Sequence, residues 1–153
     1  ISSISYYLEM KKIIPICLLI ISLVGCTSSS INYEKMITVN EINLWINLMP
    51  GGPPTFHFSG QVGAEIEIAE DIELIEVRIS QNQKQIFSEK PFFTRLSKQV
   101  PQYNKYLYIF GIKEGLPSNL INSDSLVDVI LIFDVNGDRF SITLNKLSIE
   151  KVY

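Results

Sequence analysis

The sequence predicts an all-β protein, in which seven to eight mostly antiparallel strands form a single two-sheet sandwich. The main observation is the alternation of apolar and polar side chains over residues 55–69, which is typical of a strand with one buried face. Several shorter segments alternate in the same way and are separated by Gly, Pro, Asn and Ser residues. After the amino-terminal region, no segment keeps a helical period for more than two turns.

The first two strands are predicted over residues 41–48 and 55–69. The inner face of the first consists of Ile42, Leu44, Ile46 and Leu48. The inner face of the second consists of Phe56, Phe58, Gly60, Val62, Ala64, Ile66 and Ile68. Between them lies Pro50-Gly51-Gly52-Pro53-Pro54, a predicted rigid loop, because proline cannot donate to a strand ladder and glycine permits positive φ.

The later strands are predicted from shorter alternating patterns. A turn or bulge is expected near Glu73, where the parity of the apolar residues changes. Strands are then predicted at residues 75–80, 84–88, 92–100, 103–112 and 126–134. The segment 92–100 is weakly patterned, as in an edge strand, whereas 103–112 is apolar on both faces, as in a central strand.

Asn136-Gly137 is the strongest hairpin signal in the chain, because both residues accept the positive φ of a two-residue turn. The return strand is predicted to point Phe140, Ile142 and Leu144 inward. Its parity slips at Asn145-Lys146, and a bulge there would keep three later residues on the core side, namely Leu147, Ile149 and Tyr153.

The spacing of these strands favours an immunoglobulin-like topology. The Cys-Trp-Cys hallmark of antibody domains is missing, so this prediction depends on spacing alone, and a closed barrel is the alternative. The predicted organisation is an upstream extension at residues 1–9, a signal segment at 10–25, a tether at 26–35 and the β-sandwich at 36–153.

The amino-terminal region has a pattern of its own. Lys11 and Lys12 follow Met10, twelve mostly apolar residues occupy 13–24, and Leu23-Val24-Gly25-Cys26 ends the run. A cationic start, a short apolar run and small residues at the end are the features of a secretory signal, and the run is too short to span a bilayer. This layout resembles the signal peptide of bacterial lipoproteins, with Leu23, Val24, Gly25 and Cys26 as the lipobox.

The resemblance implies removal of everything before Cys26 and attachment of acyl chains, such as palmitate, to that cysteine. The protein would then be bound to a membrane through the lipid on Cys26. In Gram-negative lipoproteins an Asp after the cysteine often marks inner-membrane retention. Thr27 stands there in this chain, so the resemblance implies the periplasmic face of the outer membrane if the host has two membranes.

Charge and cysteine content limit the classes of function. The chain has 13 Lys or Arg and 16 Asp or Glu, a net charge of −3, without a basic cluster, so nucleic acid is not expected as a partner. Cys17 lies in the signal segment and Cys26 would carry the lipid. No thiol is then left for a disulfide, a metal cluster or nucleophilic catalysis.

No catalytic constellation is visible, so the protein is not predicted to be an enzyme or to need a cofactor. His57 is the only histidine, and Ser59 lies two residues further on the same strand face. Residues 134–138 space acidic and amide oxygens as calcium loops do, but a two-residue turn explains them better, and no metal site is predicted. Met36, Met49 and His57 are soft copper-type ligands without a recognised spacing, and they support only an alternative, periplasmic metal handling.

Trp45 is the most informative residue of the mature region. It lies on the polar face of its strand, because the neighbouring apolar residues occupy the other face. We expect a register in which Leu48 pairs with Phe56 and Asn47 with His57. This register places a candidate partner-binding patch on the outer face, consisting of Trp45, Asn47, Met49 and His57. Coverage of Trp45 by a loop of the same chain is the alternative.

These observations predict a lipid-anchored lipoprotein of the cell envelope that acts as a non-enzymatic binding or structural module. An envelope protein is the expected partner. The alternatives are the periplasmic metal-handling protein and an accessory subunit of an envelope or secretion complex. The fold hosts many functions and does not choose among them.

Overall fold

The structure, a computed structural model of the chain, describes residues 31–100 and 104–153. Leu23, Val24, Gly25 and Cys26, together with the predicted extension and signal segment, lie outside the described residues. Residues from Asn32 to Tyr153 form one compact unit. It is mostly β and has two sheets packed in a sandwich-like arrangement, as the sequence predicts.

Ten strands occur in the described residues: β1 (Ile37–Asn47), β2 (Thr55–Glu65), β3 (Ile72–Gln81), β4 (Lys84–Glu89), β5 (Phe92–Val100), β6 (Lys105–Gly111), β7 (Leu116–Pro117), β8 (Val127–Val135), β9 (Asp138–Leu147) and β10 (Glu150–Val152). The first sheet has the order β10-β1-β2-β6-β5, with β7 also paired to β2, and the second has the order β4-β3-β8-β9. The described pairs are antiparallel apart from the parallel pair of β1 and β10. Short 3-10 turns occur at Tyr33–Met36, Ile66–Ile68 and Ser118–Leu120.

One hydrophobic core lies between the two sheets. Its centre consists of side chains that are at most 1% exposed, including Phe56, Phe58, Phe110, Phe133 and Leu131. Edge-to-face contacts join the sheets, with ring centroids 5.2 Å apart for Phe58 and Phe87 and 6.3 Å apart for Phe93 and Phe133. Burial of this apolar surface is the main term that stabilises the fold.

The predicted faces of β2 and β8 are confirmed. Along β8, Val127, Val129, Leu131 and Phe133 are buried and the residues between them are partly exposed. Along β2, the predicted inner residues from Phe56 to Ala64 are all buried. The prediction was wrong at the end of this strand, because β2 stops at Glu65 and Ile66 is exposed. The chain turns there to leave the first sheet and enter the second, and only Ile68 of the turn reaches the core.

Positive φ values mark the two tight hairpins. Asn136 and Gly137 have φ values of 56° and 92° and join β8 to β9, which confirms the predicted turn. Asn82 and Gln83 have φ values of 53° and 64° and join β3 to β4. Two consecutive residues with positive φ twist a hairpin in the direction that its strands require.

Bulges or irregular pairings occur in several strands, among them β9, β3 and β1. In β9, the two residues Asn145 and Lys146 lie opposite Asp128, which confirms the predicted bulge. The φ of Lys146 is 58°, and its N–H donates to Asp128 Oδ1 at 2.9 Å. In β3 the irregularity lies at Ile75, two residues beyond the expected position, and β1 has an unpredicted one at Asn40.

The structure has more strands than predicted because of two short ones, β7 and β10, of two and three residues. After Ile149, which is buried, the chain passes from the edge of the second sheet to the edge of the first. Tyr153 follows β10 and is 80% exposed, so its predicted inward position was wrong.

A short 3-10 turn precedes β1. Tyr33 opens a 3-10 turn, and its ring stacks on that of Phe140 with centroids 6.0 Å apart. None of the helices found in the described residues is long and apolar enough to cross a membrane.

Candidate functional site

Trp45 and His57 form a stacked pair on the outer face of the first sheet. The two residues lie directly opposite each other in β1 and β2, their ring centroids are 5.3 Å apart, and their planes differ by 11°. Both side chains are partly exposed, whereas Leu44 and Ile46 on either side of Trp45 are buried. The outward position predicted for Trp45 therefore follows from the alternation along β1.

The predicted register of β1 and β2 was wrong by two residues. Ile46 pairs with Phe56 and Asn47 with Thr55, whereas Leu48 was expected opposite Phe56. Leu48 lies beyond the end of β1, and its N–H donates to Val152 O at 2.7 Å. A slip of two residues keeps every side chain on its face, so alternation alone cannot exclude it.

His57 contacts both Trp45 and the backbone of Gly115. Its Nε2 lies 2.9 Å from Thr55 Oγ1, within hydrogen-bond distance. A Cβ on Gly115 would stand 2.5 Å from Nε2, so only glycine allows the backbone this close to the ring. The imidazole therefore has one face stacked on the indole of Trp45, Nε2 within hydrogen-bond distance of Thr55, and the backbone of Gly115 close to its Nε2 and Cε1 atoms.

Asn47 and Met49, the other two residues of the predicted patch, contact each other at the end of β1. Met49 N–H donates to Asn47 Oδ1 at 3.0 Å, which bends the chain away from the strand. Met49 is 51% exposed and Asn47 is partly exposed. We use the name distal patch for Trp45, Asn47, Met49 and His57.

A groove of about 360 Å³ adjoins the distal patch. Its walls are uncharged and consist of Pro53, Pro54, Thr55, Gly115, Pro117, Ser118 and Asn119. The short strand β7 builds it by pairing Pro117 with Thr55, so two of its residues, Thr55 and Gly115, also contact His57. This groove was not predicted, although Pro53 and Pro54 in one loop and Pro117 in the other were a signal.

A second concavity, of about 330 Å³, lies between the sheets at the opposite end and is bridged by ion pairs. Lys90 Nζ binds Glu73 Oε1, and Arg95 Nη1 binds Glu70 Oε1. Beneath them Tyr108 donates to Ala69 O, and burial raises the pKa of this tyrosine above its ordinary value of 10.0. The charged groups of this concavity are therefore paired with one another.

The soft ligands considered for a metal are not brought together. Met36 precedes β1 and Met49 follows it, so the two lie at opposite ends of the strand. In the described part of the chain, no group of three or more His, Cys, Asp or Glu side chains could hold a metal ion. At the hairpin, Asp134 accepts Gly137 N–H at 2.9 Å and Arg139 Nε at 3.4 Å, so its oxygens serve the turn.

No protein-family model matches this chain, and no significant match was found among curated proteins or among solved structures. The functional interpretation therefore depends on the residues themselves.

Proposed function

We propose that the protein is a lipid-anchored, non-enzymatic binding module of the bacterial cell envelope, with Cys26 as the anchor and the distal patch as its contact with an envelope protein. One observation carries the proposal of binding. It is the partly exposed Trp45, stacked on His57 beside an uncharged groove. Tryptophan that lies at the centre of an apolar patch is the residue type most often found at interaction hot spots.

The position of the domain on the chain fits an anchored module. From Cys26 to Tyr33, where the first 3-10 turn begins, the chain can span at most about 25 Å. From Ile37 to Trp45, β1 extends about another 25 Å at the usual rise of a strand. The distal patch therefore lies at the end of β1 farther from Ile37, where the chain enters the first sheet.

The proposal includes an immunoglobulin-like fold, and the strand order supports it. Immunoglobulin domains place their strands A, B, E and D in one sheet and C, F and G in the other. The orders β1-β2-β6-β5 and β4-β3-β8-β9 correspond to A-B-E-D and to C′-C-F-G. The Cys-Trp-Cys hallmark remains absent, so strand order is the support.

The anchor is tested by expression of the full chain and of Cys26→Ala in a bacterial host. We expect acylated Cys26 in the membrane fraction, detected by mass spectrometry, and loss of membrane attachment in the variant. Unmodified Cys26 in membrane-extracted protein would contradict the anchor while leaving the distal patch to be tested separately.

The distal patch is tested by photo-crosslinking in detergent-solubilised envelopes, followed by affinity measurement with the captured protein. We expect Trp45→Ala to weaken binding by about 2 kcal/mol or more. The control is Ile66→Ala, which removes an exposed apolar side chain, 36% exposed, in the 3-10 turn that follows the other end of β2. Equal effects of the two variants would contradict a specific role for Trp45.

A further inference from the structure

The hairpin between β8 and β9 carries a chemically reactive dipeptide at an exposed tip. Asn136 and Gly137 are both exposed and form the two-residue turn. In an unfolded Asn-Gly sequence the glycine nitrogen attacks the asparagine side-chain carbonyl with little steric hindrance, because glycine has no Cβ. The folded turn, however, opposes this reaction in three ways.

The first two restraints are hydrogen bonds to carboxylates. Gly137 N–H, the group that must lose its proton before attack, donates to Asp134 Oδ1 at 2.9 Å. The side-chain amide of Asn136 donates from Nδ2 to Asp71 Oδ2 at 3.1 Å, which fixes the amide toward the start of β3. Hydrogen bonds to charged acceptors are about twice as strong as those between neutral groups.

The third restraint is the backbone. Asn136 has a φ of 56°, and the pairing of Val135 with Asp138 closes the turn on both sides. A succinimide ring would need the backbone to rotate out of this left-handed conformation, which would break the pairing that ends the hairpin.

We propose that Asn136 is a site of non-enzymatic deamidation that the fold holds in check through Asp71 and Asp134. When the restraints are released, the Gly137 nitrogen forms a bond to Asn136 Cγ, the Cγ–Nδ2 bond breaks, and ammonia leaves with the proton from the Gly137 N–H. Water then opens the succinimide at either carbonyl, so residue 136 becomes aspartate or isoaspartate.

Deamidation of Asn136 would weaken the contacts that protect this residue in the unmodified protein. An aspartate at position 136 would set a negative charge against Asp71, where the amide now donates a hydrogen bond. An isoaspartate would add a methylene to the main chain of a turn that has room for two residues only. Modification therefore loosens the contact between the start of β3 and the β8–β9 hairpin.

The test compares loss of the Asn136 amide, measured by peptide mass spectrometry, in folded and urea-denatured protein. The internal reference is Asn82, which has nearly the same φ in the other tight hairpin but is followed by Gln83. We expect the folded protein to react at least about ten-fold more slowly than the denatured protein at Asn136, since one hydrogen bond to a charged group accounts for such a factor.

Asp71→Ala and Asp134→Ala should each accelerate the reaction at Asn136 in folded protein while leaving Asn82 unchanged. Urea midpoints show whether each variant remains folded under the conditions of incubation. The proposal is wrong if folded and denatured wild-type protein react at the same rate at Asn136, or if neither variant is faster than the wild type.

Discussion

Trp45 and His57 lie opposite each other across β1 and β2, with ring planes 11° from parallel and centroids 5.3 Å apart. Direct cross-strand neighbours of this kind stabilise a sheet through side-chain contact. The contact extends to a third segment, because the backbone of Gly115 lies close to Nε2 and Cε1 of His57. The aromatic pair thus connects β1 and β2 to the loop before β7.

The stacked pair predicts an optical signal. Trp45 is the only tryptophan, so its fluorescence reports this contact alone. The imidazole of His57 lies against the indole ring, so His57→Ala should expose more of the indole to water, and we expect a red-shifted and more readily quenched emission. The measurement is the emission maximum and the acrylamide quenching of wild-type protein and His57→Ala. Identical values for the two proteins would mean that Trp45 and His57 are not in contact in solution.

Gly115→Ala should destabilise the domain by about 1–3 kcal/mol, the usual cost of overpacking. The added Cβ would lie 2.5 Å from His57 Nε2 and 2.7 Å from Thr55 Cβ, so the imidazole must move. The urea midpoint and the Trp45 emission should both change. Gly52→Ala is the matched control, because nothing lies within 4 Å of its Cβ, and an equal loss of stability there would contradict the packing described.

Substitutions on the buried face of the strands should destabilise the domain more than substitutions on the outer face. Phe58→Ala should cost about 3–5 kcal/mol and Leu131→Ala about 2–5 kcal/mol, because each leaves a cavity between the sheets. Ser59→Ala, on the outer face of β2, should cost little by comparison. Overlapping denaturant midpoints for these classes would contradict the assignment of faces.

Asp128→Ala should lower the free energy of unfolding more than an ordinary surface substitution does, although Asp128 is on the outer face of β8. Its carboxylate accepts the N–H of Lys146, which has positive φ in the β9 bulge. Loss of this acceptor should destabilise the bulge by about 1 kcal/mol. Asp138→Ala, at the exposed end of the hairpin, is the comparison, and equal midpoints for the two variants would argue against a role in the bulge.

Acid should weaken the second sheet through Glu76. Hydrogen bonds from Arg78, at 2.6 and 2.9 Å, and from Ser88 lower the pKa of this carboxyl from 4.5 to about 2. Because the folded pKa lies below the unfolded one, the stabilisation is present above about pH 4.5 and is lost as the pH falls toward 2.

The measurement is the urea midpoint of wild-type protein and Glu76→Gln at pH 6 and pH 3. The variant should lose less stability than the wild type between these pH values, because it has no charge at this position to lose. Glu67→Gln, at an exposed residue of the 3-10 turn after β2, serves as the control. Parallel acid dependence in wild-type protein and Glu76→Gln would contradict the contribution of this ion pair.

Much of the local structure could be read from neighbouring residues. The alternation along β2 and β8 identified the buried side chains, since successive residues of a strand point to opposite faces. Asn136-Gly137 identified its own turn because few other pairs accept two positive φ values. The slip at Asn145-Lys146 identified the β9 bulge, because only a bulge keeps Leu144 and Leu147 against the core.

Only part of the candidate site could be predicted from the sequence in the same way. The outward face of Trp45 followed from its apolar neighbours, and its proximity to His57 was expected. The stacking of the two rings was not expected, because it depends on which residue of β2 lies opposite Trp45. The groove beside it was not predicted either, since Pro117 and Thr55 are 62 positions apart and two-residue strands have no pattern.

The sequence by itself determined that the described region is an all-β domain, which side chains of β2 and β8 are buried, and where its tightest turn lies. Only the tertiary structure decided the register of β1 and β2, the end of β2 at Glu65, the return of β10 alongside β1 and the contact of Gly115 with His57. The physical reason is the range of the interactions. Alternation and turn propensity act between neighbours in the chain, whereas a two-residue slip leaves every local preference satisfied and is resolved only by long-range contacts, such as the bond from Leu48 to Val152.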